Sequence, residues 1–239
     1  MLILYITYVD MNGGASGSGV RPQKMYRALI EAGHAVKLIS GSQQRWDRKA
    51  RTAAVREIRQ WLEENRPDIC YIESPSTPIT FRCDIALIRE IHRMGIPIGY
   101  FYRDFYWKFP ELYPRRTDFT GRLKDCWLDH LQRRTDNVLR CADIVYFPSE
   151  ECKKYFSYAD MRTLPPAGEI RPLERCPEKN TCIYVGGISG DYGGEMMLHA
   201  FRRLNGEGKD YPLLLVCREK EWDTFRGEWE NEPWLEVHH

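Results

Sequence analysis

The residues with the clearest potential for chemistry lie in a glycine-rich segment near the start of the chain. Residues 12–19 contain Gly13 and Gly14, and Arg21 follows shortly after them. Glycine permits positive φ angles and leaves no Cβ to block a ligand, and the N–H groups at the start of a helix attract anions. The segment therefore predicts an anion-binding loop, with a flexible loop that binds no ligand as the alternative.

Two familiar phosphate-binding loops do not fit this segment. A dinucleotide-binding loop requires G-x-G-x-x-G, but here Gly17 and Gly19 are followed by Pro22 where the third glycine belongs. A Walker A loop requires lysine and then serine or threonine after its last glycine, where this chain has Val20 and Arg21. The sequence thus predicts a glycine-rich turn with an arginine at the start of the helix, and neither of the two motifs.

A second pair of polar residues, Arg103 and Asp104, follows the predicted strand at residues 96–102. The carboxyl ends of parallel strands line the ligand crevice of open α/β sheets. Asp104 is therefore a candidate for contact with an acceptor hydroxyl or with the reacting centre, and the alternative is a local salt bridge to Arg103. For Arg21 the alternatives are a phosphate contact and a solvated position in the first helical turn.

The elements that position these residues follow from hydrophobic periodicity. Residues 2–9 are apolar at nearly every position, as expected of a strand covered on both faces. Apolar runs and amphipathic segments then alternate as far as residue 149. Helices are predicted at 21–32, 49–64, 83–94 and 120–139. The alternation predicts a Rossmann-like, doubly wound parallel α/β sheet.

A proline-containing stretch at residues 165–180 is predicted to be a linker between two domains. A short apolar run, a second glycine-rich loop beginning with Gly186 and Gly187, and a helical segment follow it. Residues 1–164 and 181–239 are therefore predicted to form two Rossmann-like domains. The second is expected to be incomplete, because it has too few strands to be covered well on both faces.

Charge and composition argue against several classes of protein. The 239 residues include 35 Lys and Arg and 34 Asp and Glu, so the net charge of +1 argues against nucleic-acid binding through a globally basic surface. The N-terminus lacks the features of a signal peptide, which predicts a cytoplasmic protein. None of the 8 cysteines forms a C-x-x-C pair, so we expect reduced thiols and no metal site.

An aromatic and basic stretch at residues 101–140 has two interpretations. Bases beside aromatic side chains suit an anionic membrane interface or a lipid-linked acceptor, which predicts a peripheral contact at the inner membrane surface. The alternative is ordinary core plus a solvated helix face, which the interleaved acidic residues favour. In the helix at 120–139, Leu123 and Trp127 are predicted to point inward.

The order of these motifs resembles the GT-B glycosyltransferases. More narrowly, it resembles the retaining, nucleotide-sugar-dependent group called glycosyl transferases group 1 or family 4. The resemblance covers most of the chain and is carried by residues 13–14 with Arg21, 97–110 with Arg103 and Asp104, 142–149, 164–168 and 184–188.

The resemblance implies that the first domain holds a sugar or lipid-linked acceptor and that the second binds a nucleotide-sugar donor. It implies donor-phosphate contacts from Gly13, Gly14, Gly186, Gly187 and Arg218, acceptor contacts from Arg21 and Arg103, and a catalytic role for Asp104. It also implies an oxocarbenium-like transition state, with charge on the leaving phosphate that N–H groups and an arginine can stabilise. We therefore expect no metal and no cofactor besides the donor.

The second loop departs from the family's pattern. The family usually has an arginine after the first glycine, where this chain has Gly187, and a lysine farther along that is missing here. Arg218, shortly before a helix predicted at 221–230, is the nearest candidate cation. The family's paired glutamates would lie beyond residue 239, so these residues alone are expected to be inactive.

The function implied is that of a glycosyltransferase, or the N-terminal portion of one, in polysaccharide or glycolipid synthesis. One alternative is a non-catalytic nucleotide- or sugar-binding module of the same fold. Another is an unrelated doubly wound protein with a small-molecule site at the same strand ends, since fold alone does not determine function.

Overall fold

The computed structural model describes residues 1–11, 17–109, 115–166 and 180–239. The chain divides into two compact units, Met1–Gly168 (unit 1) and Glu169–His239 (unit 2). Gly13 and Gly14 lie outside the described residues, as do residues 167–179 of the predicted linker.

Unit 1 is built on one parallel sheet. Its strands are β1 (Leu2–Ile6), β2 (Ala35–Ile39), β3 (Ile69–Glu73), β4 (Ile98–Phe101), β5 (Ile144–Phe147) and β6 (Met161–Thr163). They form a 6-stranded sheet in the order β2-β1-β3-β4-β5-β6, and every neighbouring pair is parallel. The parallel α/β fold predicted from the alternating pattern is confirmed.

The helices of unit 1 connect these strands. They are α1 (Gly17–Glu31), α2 (Arg48–Glu64), α3 (Arg82–Arg93), α4 (Phe119–Leu139) and α5 (Glu150–Lys153). The first helix begins earlier than predicted, so Pro22 lies inside it and not in its first turn. The Tyr5 hydroxyl of β1 donates a hydrogen bond to the Pro22 carbonyl at 3.2 Å, which ties this part of the helix to the sheet.

The inward face of α4 was predicted wrongly in its first half. Leu123 and Trp127 are 57% and 53% exposed, whereas Leu131, Val138 and Leu139 are buried. Apart from Gly121, the buried residues of α4 all lie in its second half. Periodicity identifies the apolar face of a helix, but it does not show how much of the helix length meets the core.

A buried ion pair joins the helices of unit 1 to its sheet. Arg51 of α2 places Nε 2.9 Å from Oδ1 of Asp84 in α3, and both side chains are almost fully buried. Arg51 Nη1 also donates to the carbonyl oxygens of Thr7 and Ser40, each at 3.0 Å. These residues follow β1 and β2, so a single guanidinium holds two helices and two strand ends together.

Unit 2 is a smaller parallel α/β unit. Its strands are β7 (Cys182–Val185), β8 (Leu213–Val216) and β9 (Leu235–His238), which pair in the order β7-β8-β9. Its helices are α6 (Gly194–Gly206), α7 (Glu219–Trp222) and α8 (Arg226–Trp229). Three buried tryptophans contribute to the core, namely Trp222, Trp229 and Trp234.

The single helix predicted at residues 221–230 is wrong, because the structure has the two short helices α7 and α8 there. Thr224 lies between them, and its hydroxyl donates to the carbonyl oxygen of Glu221 at 2.8 Å. A side chain that bonds the preceding backbone competes with the helical hydrogen-bond pattern. The interruption still allows Trp222 and Trp229 to reach the same core.

We expect Arg51→Met to lower the free energy of unfolding by about 3–5 kcal/mol, because it leaves the Asp84 carboxylate buried and unpaired. The measurement is urea denaturation followed by circular dichroism. Arg56→Met, at an exposed position of the same helix, is the control and should change stability by less than about 0.5 kcal/mol. Similar losses in the two variants would contradict the role assigned to the buried pair.

Candidate functional site

The candidate site of unit 1 lies at the carboxyl edge of its sheet. The chain runs from β1 to β2 on one side and then to β3 on the other side, so the strand order reverses between β1 and β3. Open α/β sheets bind ligands outside the carboxyl ends of the strands at such a reversal. The segments that follow β1, β3 and β4 meet there.

Glu73, the last residue of β3, is at the centre of this edge and was not predicted as a site residue. Its side chain is 1% exposed, and its Oε1 lies 3.2 Å from Arg21 Nε. The Tyr71 hydroxyl donates to the same oxygen at 3.2 Å. The signal in the sequence was a carboxylate that closes an otherwise apolar strand.

Arg21 is held in an internal network and is not a solvated side chain. Besides its contact with Glu73, its Nη2 donates to the Tyr71 hydroxyl at 3.4 Å. The guanidinium carbon lies 3.8 Å from the centre of the Phe101 ring, within the range of a cation–π interaction. An acceptor contact by Arg21, which remains a prediction, would have to coexist with this internal network.

The protonation of Glu73 is affected by its burial. Burial raises the pKa of its carboxyl, while the positive charges of Arg21 and Arg103 act in the opposite direction. Its Oε2 is buried and makes no hydrogen bond to any described residue. A buried carboxylate oxygen without a partner is uncommon in folded proteins.

Arg103 and Asp104 form the local salt bridge that was the alternative to a catalytic Asp104. Arg103 Nε lies 3.3 Å from Asp104 Oδ2, and both side chains are mostly buried. Arg103 also links two loops, since its backbone N–H donates to Ser74 Oγ at 2.9 Å and its Nη2 donates to Ser76 Oγ at 3.2 Å. Arg103 therefore links the segments that follow β3 and β4. The catalytic role of Asp104 and the acceptor contact of Arg103 remain predictions.

A cavity of about 400 Å³ opens beside this edge. Residues that follow β1, β2, β3 and β4 line it together with α4, among them Gln43, Arg103 and Trp127. Gln43 Oε1 accepts a hydrogen bond from the N–H of Thr80 at 2.6 Å, and its Nε2 is buried with no partner in the described part of the chain. An exposed indole facing hydroxyl and amide groups suits a hydroxylated ligand such as a sugar.

The glycine-rich loop of unit 2 follows β7, as predicted for Gly186 and Gly187. A Cβ at Gly187 would lie 2.8 Å from the Tyr192 ring, so a side chain there requires the tyrosine to move. The Tyr184 hydroxyl donates to the Gly187 carbonyl at 2.7 Å. These contacts give this loop a defined conformation.

Glu221, also not predicted as a site residue, places an anion on this loop. Its Oε2 accepts the backbone N–H of Ile188 at 2.9 Å, and its Oε1 lies 3.3 Å from Nη1 of Arg218. Gly186, Gly187 and Arg218 are the predicted phosphate contacts of the donor. In this arrangement the Glu221 carboxylate already contacts one N–H group of the loop and the guanidinium of Arg218.

Solved structures share the fold of this chain. MurG of Acinetobacter baumannii is 11% identical with a TM-score of 0.54, and the match covers 98% of this chain and 67% of that chain. UGT89C1 of Arabidopsis thaliana, complexed with UDP-L-rhamnose, is 11% identical with a TM-score of 0.51, and the match covers 99% of this chain and 68% of that chain. At this identity the likeness shows the fold alone, and the predicted GT-B fold is confirmed.

A third structure, an α-glucosyltransferase in complex with UDP and a 13-mer DNA, is 14% identical with a TM-score of 0.49. That match covers 95% of this chain and 60% of the other, so the chain spans 60% to 68% of the lengths of these three structures. No protein-family model matches the sequence, and no curated protein does.

Of the helices in residues 1–11, 17–109, 115–166 and 180–239, none combines the length and the apolar character required to cross a membrane. In the same residues, no three His, Cys, Asp or Glu side chains come together in a group that could hold a metal ion.

We expect Glu73→Gln to become more stable relative to the wild type as the pH rises from about 4 to 7. Because burial raises the pKa of the Glu73 carboxyl in the folded state, this group contributes its full stabilisation at pH values below the pKa of the unfolded state. The stabilisation is lost as the pH rises through the pKa of the folded state. Glutamine does not titrate, so the variant lacks this loss.

The measurement is urea denaturation of both proteins at several pH values in this range. Glu63→Gln, at an exposed position of α2, is the control for substitution of a carboxylate that lies outside this site. Parallel pH profiles of wild type and Glu73→Gln would contradict the effect of burial described for this carboxyl.

Proposed function

We propose that this chain, which has the GT-B fold, is a glycosyltransferase or the N-terminal portion of one. In this proposal it transfers a sugar from a nucleotide-sugar donor to a sugar or lipid-linked acceptor, in polysaccharide or glycolipid synthesis. The observation that carries the proposal is the polar cluster around Glu73, Arg103 and Asp104. It lies beside a cavity suited to a sugar, at the edge where this fold class binds ligands.

Unit 1 would hold the acceptor and unit 2 the donor. In the reaction, the bond between the anomeric carbon and the donor phosphate oxygen breaks, and the acceptor hydroxyl oxygen bonds to that carbon. The hydroxyl proton passes to a base, for which Asp104 is our candidate, while Arg103 orients the Asp104 carboxylate. We propose retention of configuration and charge stabilisation by loop N–H groups without a metal.

The proposal extends to a cytoplasmic protein with a peripheral contact at the inner membrane surface. Phe119 and Leu123 of α4 are both exposed, at 77% and 57%, and the neighbouring Arg122 and Lys124 are exposed as well. Exposed apolar side chains beside bases are typical of surfaces that bind anionic lipid.

A non-catalytic nucleotide- or sugar-binding module is the second candidate, and Glu221 favours its sugar-binding form. A donor diphosphate at the loop after β7 would meet a carboxylate bonded to Ile188 N–H, and like charges repel. If Glu221 keeps this position, unit 2 holds its own anion in place of a phosphate.

We expect Glu221→Ala to bind a nucleoside diphosphate about tenfold more tightly than the wild type, because it frees the Ile188 N–H and removes a negative charge. Isothermal calorimetry with UDP, GDP and ADP, free and sugar-linked, measures this. Glu219→Ala, at an exposed position of the same short helix, is the control and should leave the affinity unchanged.

The same titrations also test the proposed function. Tighter binding by Glu221→Ala that is lost again in Arg218→Gln/Glu221→Ala would support a donor site at this loop. The absence of binding of all three nucleotides to the wild type and to both variants would overturn the donor-phosphate site proposed at this loop.

A further inference from the structure

A second cavity in unit 1, of about 1110 Å³, opens between three helices and carries an unusual concentration of positive charge. Each helix contributes one arginine to its lining: Arg48 from α2, Arg82 from α3 and Arg134 from α4. Among the described residues, no aspartate or glutamate lines it. We call this space the arginine cavity.

The three arginines lack an ion-pair partner among the residues that the structure describes. In the described part of the chain, no carboxylate forms an ion pair with any of them, although Arg51 and Arg59 on the same helix as Arg48 are both paired. The acids closest in sequence are committed elsewhere, since Asp47 bonds to Ser42 and Asp84 to Arg51. The described residues of unit 1 therefore provide no carboxylate that is paired with these three guanidinium groups.

Arg134 lies in an electrostatically unfavourable environment in this cavity. Its Nη2 is buried and makes no hydrogen bond to a described residue. Burial lowers the pKa of its guanidinium, and the charges of Arg82 and Arg89 lower it further. A buried N–H donor without a partner and a group of neighbouring cations are both features that a bound anion would stabilise.

The backbone adds to the positive potential. Arg48 and Arg82 are the first residues of α2 and α3, and neither helix has a side-chain capping bond at its N-terminus. A cation is unfavourable at the positive end of a helix dipole, whereas an anion is favourable there. Two helix starts and three guanidinium groups thus point to the same kind of ligand, an anion.

The arginine cavity adjoins the 400 Å³ cavity at the strand ends. The two cavities share Thr80, Trp127 and Leu131 in their linings. Trp127 is 53% exposed between them, and Arg103 lines the cavity at the strand ends. One ligand can therefore extend from the candidate reaction site, past the indole, to the three arginines.

We propose that the arginine cavity binds a phosphate group carried by the acceptor carbohydrate, whose sugar ring lies against Trp127 in the neighbouring cavity. The identification of this ligand as an acceptor rests on the proposed function, but phosphate binding by the arginines does not. Arginine suits this role because its planar guanidinium can donate two hydrogen bonds to one phosphate.

The experiment is calorimetric titration of the whole chain at low ionic strength with glucose 6-phosphate, inorganic phosphate and glucose. We expect glucose 6-phosphate to bind more tightly than inorganic phosphate, and glucose to bind weakest. Arg82→Gln/Arg134→Gln should weaken phosphate binding by about tenfold or more for each arginine removed. Arg93→Gln, at the exposed far end of α3, is the matched control and should bind like the wild type.

Trp127→Ala distinguishes binding of the sugar ring at the indole from binding of the phosphate at the arginines. It should reduce the affinity for glucose 6-phosphate severalfold and leave the affinity for inorganic phosphate unchanged. The circular dichroism spectrum checks that each variant is folded, and exposed Arg82 and Trp127 are positions where substitution preserves the core.

Equal phosphate affinities in the wild type and in folded Arg82→Gln/Arg134→Gln would overturn the proposal. Equal affinities for inorganic phosphate and glucose 6-phosphate, unaffected by Trp127→Ala, would overturn the carbohydrate part. Arginine-dependent binding of phosphatidylglycerol vesicles without binding of glucose 6-phosphate would assign the cavity to a lipid headgroup instead. These results do not depend on the nucleotide titrations, so failure here and failure of the proposed function are distinguishable.

Discussion

The parallel pairing of β1 with both β2 and β3 is the constraint on which the rest of unit 1 depends. It brings the carboxyl ends of the strands to one edge of the sheet, and polar residues are concentrated there. Charges buried at this edge must be paired, because an isolated charge in a poorly hydrated interior is strongly unfavourable. Arg51 pairs with Asp84 on one side of β1, and Arg21 pairs with Glu73 on the other side.

Both units begin with a strand, a glycine-rich stretch of sequence and a helix, but the contacts around this opening differ between them. In unit 1 the arginine that follows the loop is held by a strand-end carboxylate and an aromatic ring. In unit 2 a carboxylate from a later helix accepts a loop N–H directly. In both units a carboxylate of the chain itself lies near the place where the sequence predicted the phosphate of a ligand. The glycine pattern alone therefore does not identify a phosphate site.

The arginine cavity shows the opposite situation. Arg51 and Arg59 of α2 pair with acids on α3. Arg48, Arg82 and Arg134 instead line a common space in which none of the described lining residues is an acid. The strand-end cavity adjoins this space along Trp127, so the two neighbouring cavities together present polar groups, an indole and three arginines. That sequence of surfaces suits an elongated, negatively charged carbohydrate better than a small neutral ligand.

The sequence by itself determined the parallel α/β class and the positions of Arg103 and Asp104 after β4, because these follow from local periodicity. Tertiary structure alone decided the interruption between α7 and α8, the exposure of Leu123 and Trp127, and the partners of Glu73 and Glu221. It also decided the meeting of Arg48, Arg82 and Arg134, which lie far apart in the chain. Such contacts depend on how whole helices pack against the sheet, and local residue preferences carry no information about that packing.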